Sequence, residues 1–202
     1  MALKQKGIIP AGNPTAGSSW KCNPNSNSAL YQIENLPSEY KCALFITIIS
    51  AAIGLSEFFD TITNEAVWVL NINPPTAKLV FMSPYAAQSC INRLQIVTGI
   101  SLCGSRLKVR YNRAGYLQND GNATRILQIK GPTEIMKWQY WKRYFDGARV
   151  FELDRWIIHP CPDSERARME VGCARVDGQA QMCLQKTVKD MNLEIKGTEF
   201  VR

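Results

Sequence analysis

The chain has one histidine, His159, and its seven cysteines include no CxxC pair. Zinc ribbons and dithiol redox centres need that close spacing, so the sequence gives no support to either. No Gly-rich phosphate loop, HExxH or paired-carboxylate signature is present, which removes the commonest motifs of nucleotide hydrolysis, metalloprotease and acid–base chemistry. His159 stands beside Pro160 and Cys161. Sequence neighbours rarely reach the geometry of a nucleophile and its base, so no catalytic residue, metal site or cofactor is assigned and an enzyme is not expected. Glu57, Asp60 and Glu65 read as solvated surface charge.

Long apolar runs are also missing. The longest, Cys42–Ile53, has about twelve residues, whereas a bilayer-spanning helix needs roughly twenty. Met1–Pro10 carries lysines but no apolar core, so no signal peptide and no membrane partner are expected. The odd cysteine count, with several thiols inside apolar patterns, points to seven reduced thiols and a nuclear or cytoplasmic location.

What is present is ample apolar material, 46% of 202 residues, enough for one medium or two small packed domains. The formal net charge is +7, which favours polyanionic partners. Residues 1–115 carry 10 Lys/Arg against 5 Asp/Glu, and residues 116–202 carry 14 against 12, so the basic excess lies mainly in the first half.

Residues 1–36 read as a flexible tail or arm, rich in Gly, Pro, Ser and Asn up to residue 28. Cys42–Ile49 is β-branched and strand-like, Leu55–Thr63 has helical spacing, and Ala66–Ile72 and Thr76–Met82 are strands around Pro74-Pro75. Ser83-Pro84 caps a helix to about Gln95 that carries Ala87, Cys90, Ile91 and Leu94 on one face. Leu107–Asn112 completes a β-α-β-β-α-β order within residues 37–115. A polar linker, 116–124, follows, and the order repeats over 125–202. There the strands are Arg125–Lys130, Ala148–Ile158, Arg168–Ala174 and Leu193–Val201, and the helices Glu134–Phe145 and Gly178–Asn192. The fold class is α+β, two tandem ferredoxin-like units.

The first copy resembles the RNA recognition motif. Leu44-Phe45-Ile46-Thr47-Ile48-Ile49 fits that family's first-strand hexamer except at its Asn position, where Ile48 stands. In the third-strand stretch Pro74–Phe81, only Ala77, Leu79 and Phe81 fit the family octamer. From Pro37 onward the chain is similar to the tandem RRM-like proteins of filamentous fungi, through LPSEYKCALFI, NPPTAKLVF, RILQIKGP and FELD.

The resemblance implies a partner, single-stranded RNA, stacked on sheet aromatics. Strand alternation puts Leu44 and Ile46 in the core and Phe45 and Thr47 on the open face, joined by Thr76, Lys78, Lys108, Arg110 and Asn112. Thr76 and Lys78 stand where the family has aromatics, so weak binding is expected: stacking on Phe45, with phosphate held by Lys78, Lys108 and Arg110. In the second copy the open face would hold Ile126, Gln128, Lys130, Arg168, Glu170 and Gly172, without an aromatic. On its first helix Trp138, Trp141 and Phe145 share one side, leaving Met136, Tyr140 and Tyr144 as a candidate protein-binding stripe. A protein-binding scaffold that has lost RNA binding is the main alternative, and a ferredoxin-like enzyme with an unrecognised site a third.

Overall fold

Alternation of apolar and polar residues builds two sheets of the same design. The computed structural model describes residues 32–34, 36–62, 66–96, 101–102, 104–146, 152–161, 165–190, 195 and 197–201. Residues 1–31 and 35 of the expected tail or arm, and Cys22, Glu65 and Cys103, lie outside them.

In chain order the first half contains β1 (Gln32–Glu34), β2 (Ala43–Thr47), α1 (Leu55–Ile62), β3 (Val67–Asn73), β4 (Thr76–Phe81) and α2 (Pro84–Ile96). The short β5 (Ser101–Leu102) and β6 (Ser105–Arg106) follow, then β7 (Lys108–Tyr111) and β8 (Ala114–Tyr116). The second half contains β9 (Ile126–Pro132), α3 (Trp138–Asp146), β10 (Leu153–Pro160), β11 (Arg166–Cys173), α4 (Gln181–Lys189) and β12 (Gly197–Val201). The four-stranded sheets have the orders β3-β4-β2-β7 and β10-β11-β9-β12, antiparallel throughout. Each is the split βαβ arrangement, and the protein is an α+β chain of two such sheets with two helices on one face of each.

The core faces follow the sequence pattern. Leu44, Ile46, Leu70, Ala77, Leu79 and Phe81 meet Phe58 and Phe59 of α1 and Ala87, Cys90, Ile91 and Leu94 of α2. Ser83 Oγ accepts the Ala86 N–H at 3.2 Å, which caps α2 with Pro84 at its first position. In the second half Leu127, Ile129, Met169, Val171 and Cys173 close over Trp141, Phe145 and Cys183. Gly178, at φ 72°, turns the chain into α4, which starts at Gln181 rather than at Gly178. Among the described residues Cys42, Cys90, Cys161, Cys173 and Cys183 are thiols outside any disulfide.

Two features depart from the sequence expectation. Tyr116, placed at the start of the linker, is only 3% exposed and ends a strand that pairs with Gln32–Glu34 of the arm. Gly115 permits this approach, because a Cβ there would lie 2.7 Å from the Leu36 Cβ. A bulge between Val67 and Val69 also shifts the alternation of β3, so that Val67 and Leu70 both enter the core and Val69 turns outward.

The halves are clasped together. Arg125 lies with its guanidinium carbon 3.6 Å from the centre of the Phe59 ring and donates to Asp154 Oδ2 at 2.5 Å. Arg155 reaches Asp60 of α1 at 3.7 Å. The Leu70 N–H on β3 donates to the Ala174 carbonyl at 3.0 Å, and Val69 bridges Arg175.

Candidate nucleic-acid interface

The registers of the first sheet arrange its open face in three rows across the strands. One row is Arg110, Phe45, Lys78 and Asn71; the next is Lys108, Thr47, Thr76 and Asn73. The third runs through Ala43, Val80 and Val69, with Asn112 bonded at one end (its N–H to the Ala43 carbonyl, 2.9 Å) and Arg175 at the other.

The third row is sealed. Tyr116 packs on Cys42, Ala43, Val69 and Val80, with Trp68 against the same cluster, forming a small second core on the outer face. The Lys78 ammonium donates to the Tyr116 hydroxyl at 2.5 Å and lies 4.3 Å from its ring centre. It therefore sits at the phenol end of the ring and is held there by a charge-assisted bond.

The other two rows are open to a ligand. Phe45 lies under the Arg110 guanidinium, 4.9 Å from ring centre to the central carbon. Lys108 and Arg110 are exposed at the β7 edge, and Thr47 and Thr76 are half-buried between them and β3. The Thr47 hydroxyl donates to the Lys108 carbonyl at 3.5 Å and the Thr76 hydroxyl to the Asn73 carbonyl at 3.0 Å. Phe45, Thr47, Thr76, Lys78, Lys108 and Arg110 thus share one face, while Asn112 belongs to the end closed by Tyr116.

Sequence reasoning missed four residues of this face. Tyr116 was hidden by its polar surroundings and Trp68 by the bulge. Asn71 and Asn73 are legible from the alternation of β3, in which Leu70 and Ile72 face the core.

The second sheet differs. Its open face carries Arg168 and Glu170, with His159 Nε2 3.3 Å from Glu170 and Lys130 paired to Glu199 at 2.8 Å. Gly172 also belongs to this face, and a Cβ there would lie 3.0 Å from Asp154 Oδ2 and 3.4 Å from Arg125. The clasp to α1 therefore occupies the Gly172 end of the sheet.

The stripe Met136, Tyr140 and Tyr144 is corrected by the structure. A 3-10 turn, Thr133–Ile135, precedes α3, so Met136 lies outside the helix and is buried at 1% exposure. Tyr144 packs against the core, and its hydroxyl bonds to Asp190 at 3.0 Å and to the Lys186 carbonyl at 3.2 Å. Burial, then Asp190, push that phenol well above its ordinary range. Only Tyr140, 40% exposed, remains at the surface. Elsewhere Trp138 stacks on Trp156 at 6.0 Å, with Trp156 37% exposed on the helix side of the sheet; Ile157, 41% exposed, is opposite Glu170 and points to the open face.

Among the described residues no cluster of His, Cys, Asp and Glu could hold a metal ion, and no helix is long and apolar enough to cross a membrane. No protein-family model matches the chain, and no curated protein matches it. Among solved structures it is similar to the N-terminal three RNA-binding domains of the yeast splicing factor Prp24, at 16% identity and a TM-score of 0.32 over 80% of this chain and 66% of that one. It is also similar to RNA recognition domains 1 and 2 of Sex-lethal from Drosophila melanogaster, at 13% identity and a TM-score of 0.30 over 79% and 99% of the two chains. At such identities and TM-scores the fold assignment rests on the sheet orders and registers above.

Proposed function

We propose that this is a nuclear or cytoplasmic, non-enzymatic RNA-binding protein that holds single-stranded RNA weakly on the two open rows of its first sheet. Residues 37–115 and 125–202 are its two RRM-like units. The observation that carries this reading is Phe45 lying between Arg110 and Lys78 in one row. A base that stacks on the Phe45 ring takes the place of the Arg110 guanidinium and leaves that cation to the phosphate. Lys108 adds a second exposed cation at the same edge. Aromatic stacking contributes about 1–3 kcal/mol per base, and one such ring with few cations makes a weak site. The second sheet has Lys130 paired to Glu199, the acid Glu170 on its open face and its Gly172 end closed, so it adds little. The similarity to fungal tandem RRM-like proteins fits the same reading.

A second reading is a protein-binding scaffold. The stacked Trp138–Trp156 pair, with Trp156 37% exposed, favours it.

Titration of the full chain with a mixed-sequence single-stranded oligonucleotide, at two salt concentrations, separates the two. Phe45→Ala is expected to weaken binding roughly five- to hundredfold, as loss of one stacked base requires, with the salt slope unchanged. Binding indifferent to Phe45→Ala would sink the stacking site and favour the scaffold.

A further inference from the structure

The row that contains Phe45 ends in a group to which the stacking site assigns no role. Lys78 is opposite Phe45 on β4, and Asn71 is opposite Lys78 on β3. Strands lie about 4.8 Å apart, which puts Asn71 about 10 Å from Phe45 and about 14 Å from Arg110. Asn71 is half-exposed, and among the described residues its side-chain amide makes no hydrogen bond within the protein. β3 is the edge strand of the sheet, and its contact with the second half is at Val69 and Leu70, one row away.

The row is therefore polarised. One cation, Arg110, stands at the β7 edge, an aromatic ring on the next strand and an uncommitted amide at the far edge. Phosphate binds the first, a base face the second, and a base edge the third. A backbone running along β7 would send its base over Phe45 and β4 towards β3. The Lys78 ammonium is drawn away to Tyr116, so it does not block the path. Crossing that span takes a double ring. An asparagine amide, one donor and one acceptor side by side, matches the adjacent donor and acceptor of adenine.

We propose that Asn71 is a specificity-determining residue that reads the edge of an adenine stacked on Phe45, so that the protein prefers A to pyrimidines at that position. The inference rests on the stacking site proposed above. It is tested with the full chain and short oligo(A), oligo(C) and oligo(U) in a fluorescence-anisotropy titration. Oligo(A) is expected to bind roughly five- to hundredfold more tightly than oligo(U), the range of one good amide–base pair. Asn71→Ala should abolish that preference and leave the salt slope unchanged, while Asn71→Asp, of the same size but without the donor, should also lose it. Equal thermal midpoints for the variants and wild type exclude a folding defect. A preference that survives both substitutions, or equal binding of all three oligomers that Phe45→Ala still weakens, overturns base reading by Asn71 and leaves the stacking site standing. Binding to none of them overturns the stacking site itself.

Discussion

Lys78 and Tyr116 are joined through a 2.5 Å hydrogen bond from ammonium to phenol, although 38 residues separate them. The bond ties one cation of the open face to the covered row. Tyr116→Phe keeps the ring packed on Ala43, Val69 and Val80 but frees Lys78 for phosphate. RNA binding by this variant should tighten at low salt, and the slope of log affinity against log salt should steepen by about 0.7, one added contact to a single strand. Titration across a salt series checks it; an unchanged slope would show that Lys78 is already engaged in the wild type.

The clasp between the halves predicts a large stability effect at one carboxylate. Asp154 and Arg125 are both buried, and among the described residues the Arg125 guanidinium otherwise bonds to the Cys173 carbonyl, at 3.4 Å, and lies on the Phe59 ring. Asp154→Ala leaves the guanidinium buried without its counter-charge, a loss of about 3–5 kcal/mol. Replacing both partners, Arg125→Met with Asp154→Leu, should cost less than Asp154→Ala alone. Urea melts of the three proteins decide it.

Burial also makes the fold sensitive to alkali. The Cys42 thiol, fully buried, is pushed up from 9.0 to about 12. Above pH 9 the unfolded chain releases this proton while the folded chain keeps it, so the unfolded state gains and stability falls as pH rises towards the folded value. The decline should approach about 1.4 kcal/mol per pH unit for this thiol. Cys42→Ala should flatten the fall between about pH 9 and about pH 10, below the ordinary tyrosine range. Equal slopes in denaturant melts of the two proteins would contradict it.

Most of the first sheet was legible because alternation and burial coincide there: Leu44 and Ile46 go in, Phe45 and Thr47 out, and Pro74-Pro75 marks the turn between β3 and β4. The second core face was legible for the same reason. The rest depended on events that periodicity does not encode. The extra residue at Trp68 inverts the faces of β3 at one end. Met136 precedes a helix that begins two residues later, so a helical angular position has no meaning for it. The packing of Tyr116 depends on Leu36 and Gly115 meeting across the chain, a contact written in neither segment alone.

The Leu70–Ala174 hydrogen bond and the Val69–Arg175 bridge have a consequence for how the molecule behaves in company. β3 is an outer strand, and its middle would otherwise offer unpaired backbone groups to any other chain. The second half occupies that stretch as a plug. Cutting the chain after residue 115 would remove the plug together with Arg125, baring Val69, the Leu70 N–H and Phe59 at once. Such a fragment would present a sticky strand edge and tend to self-associate, which makes the intact chain the proper unit in which to weigh one sheet against the other.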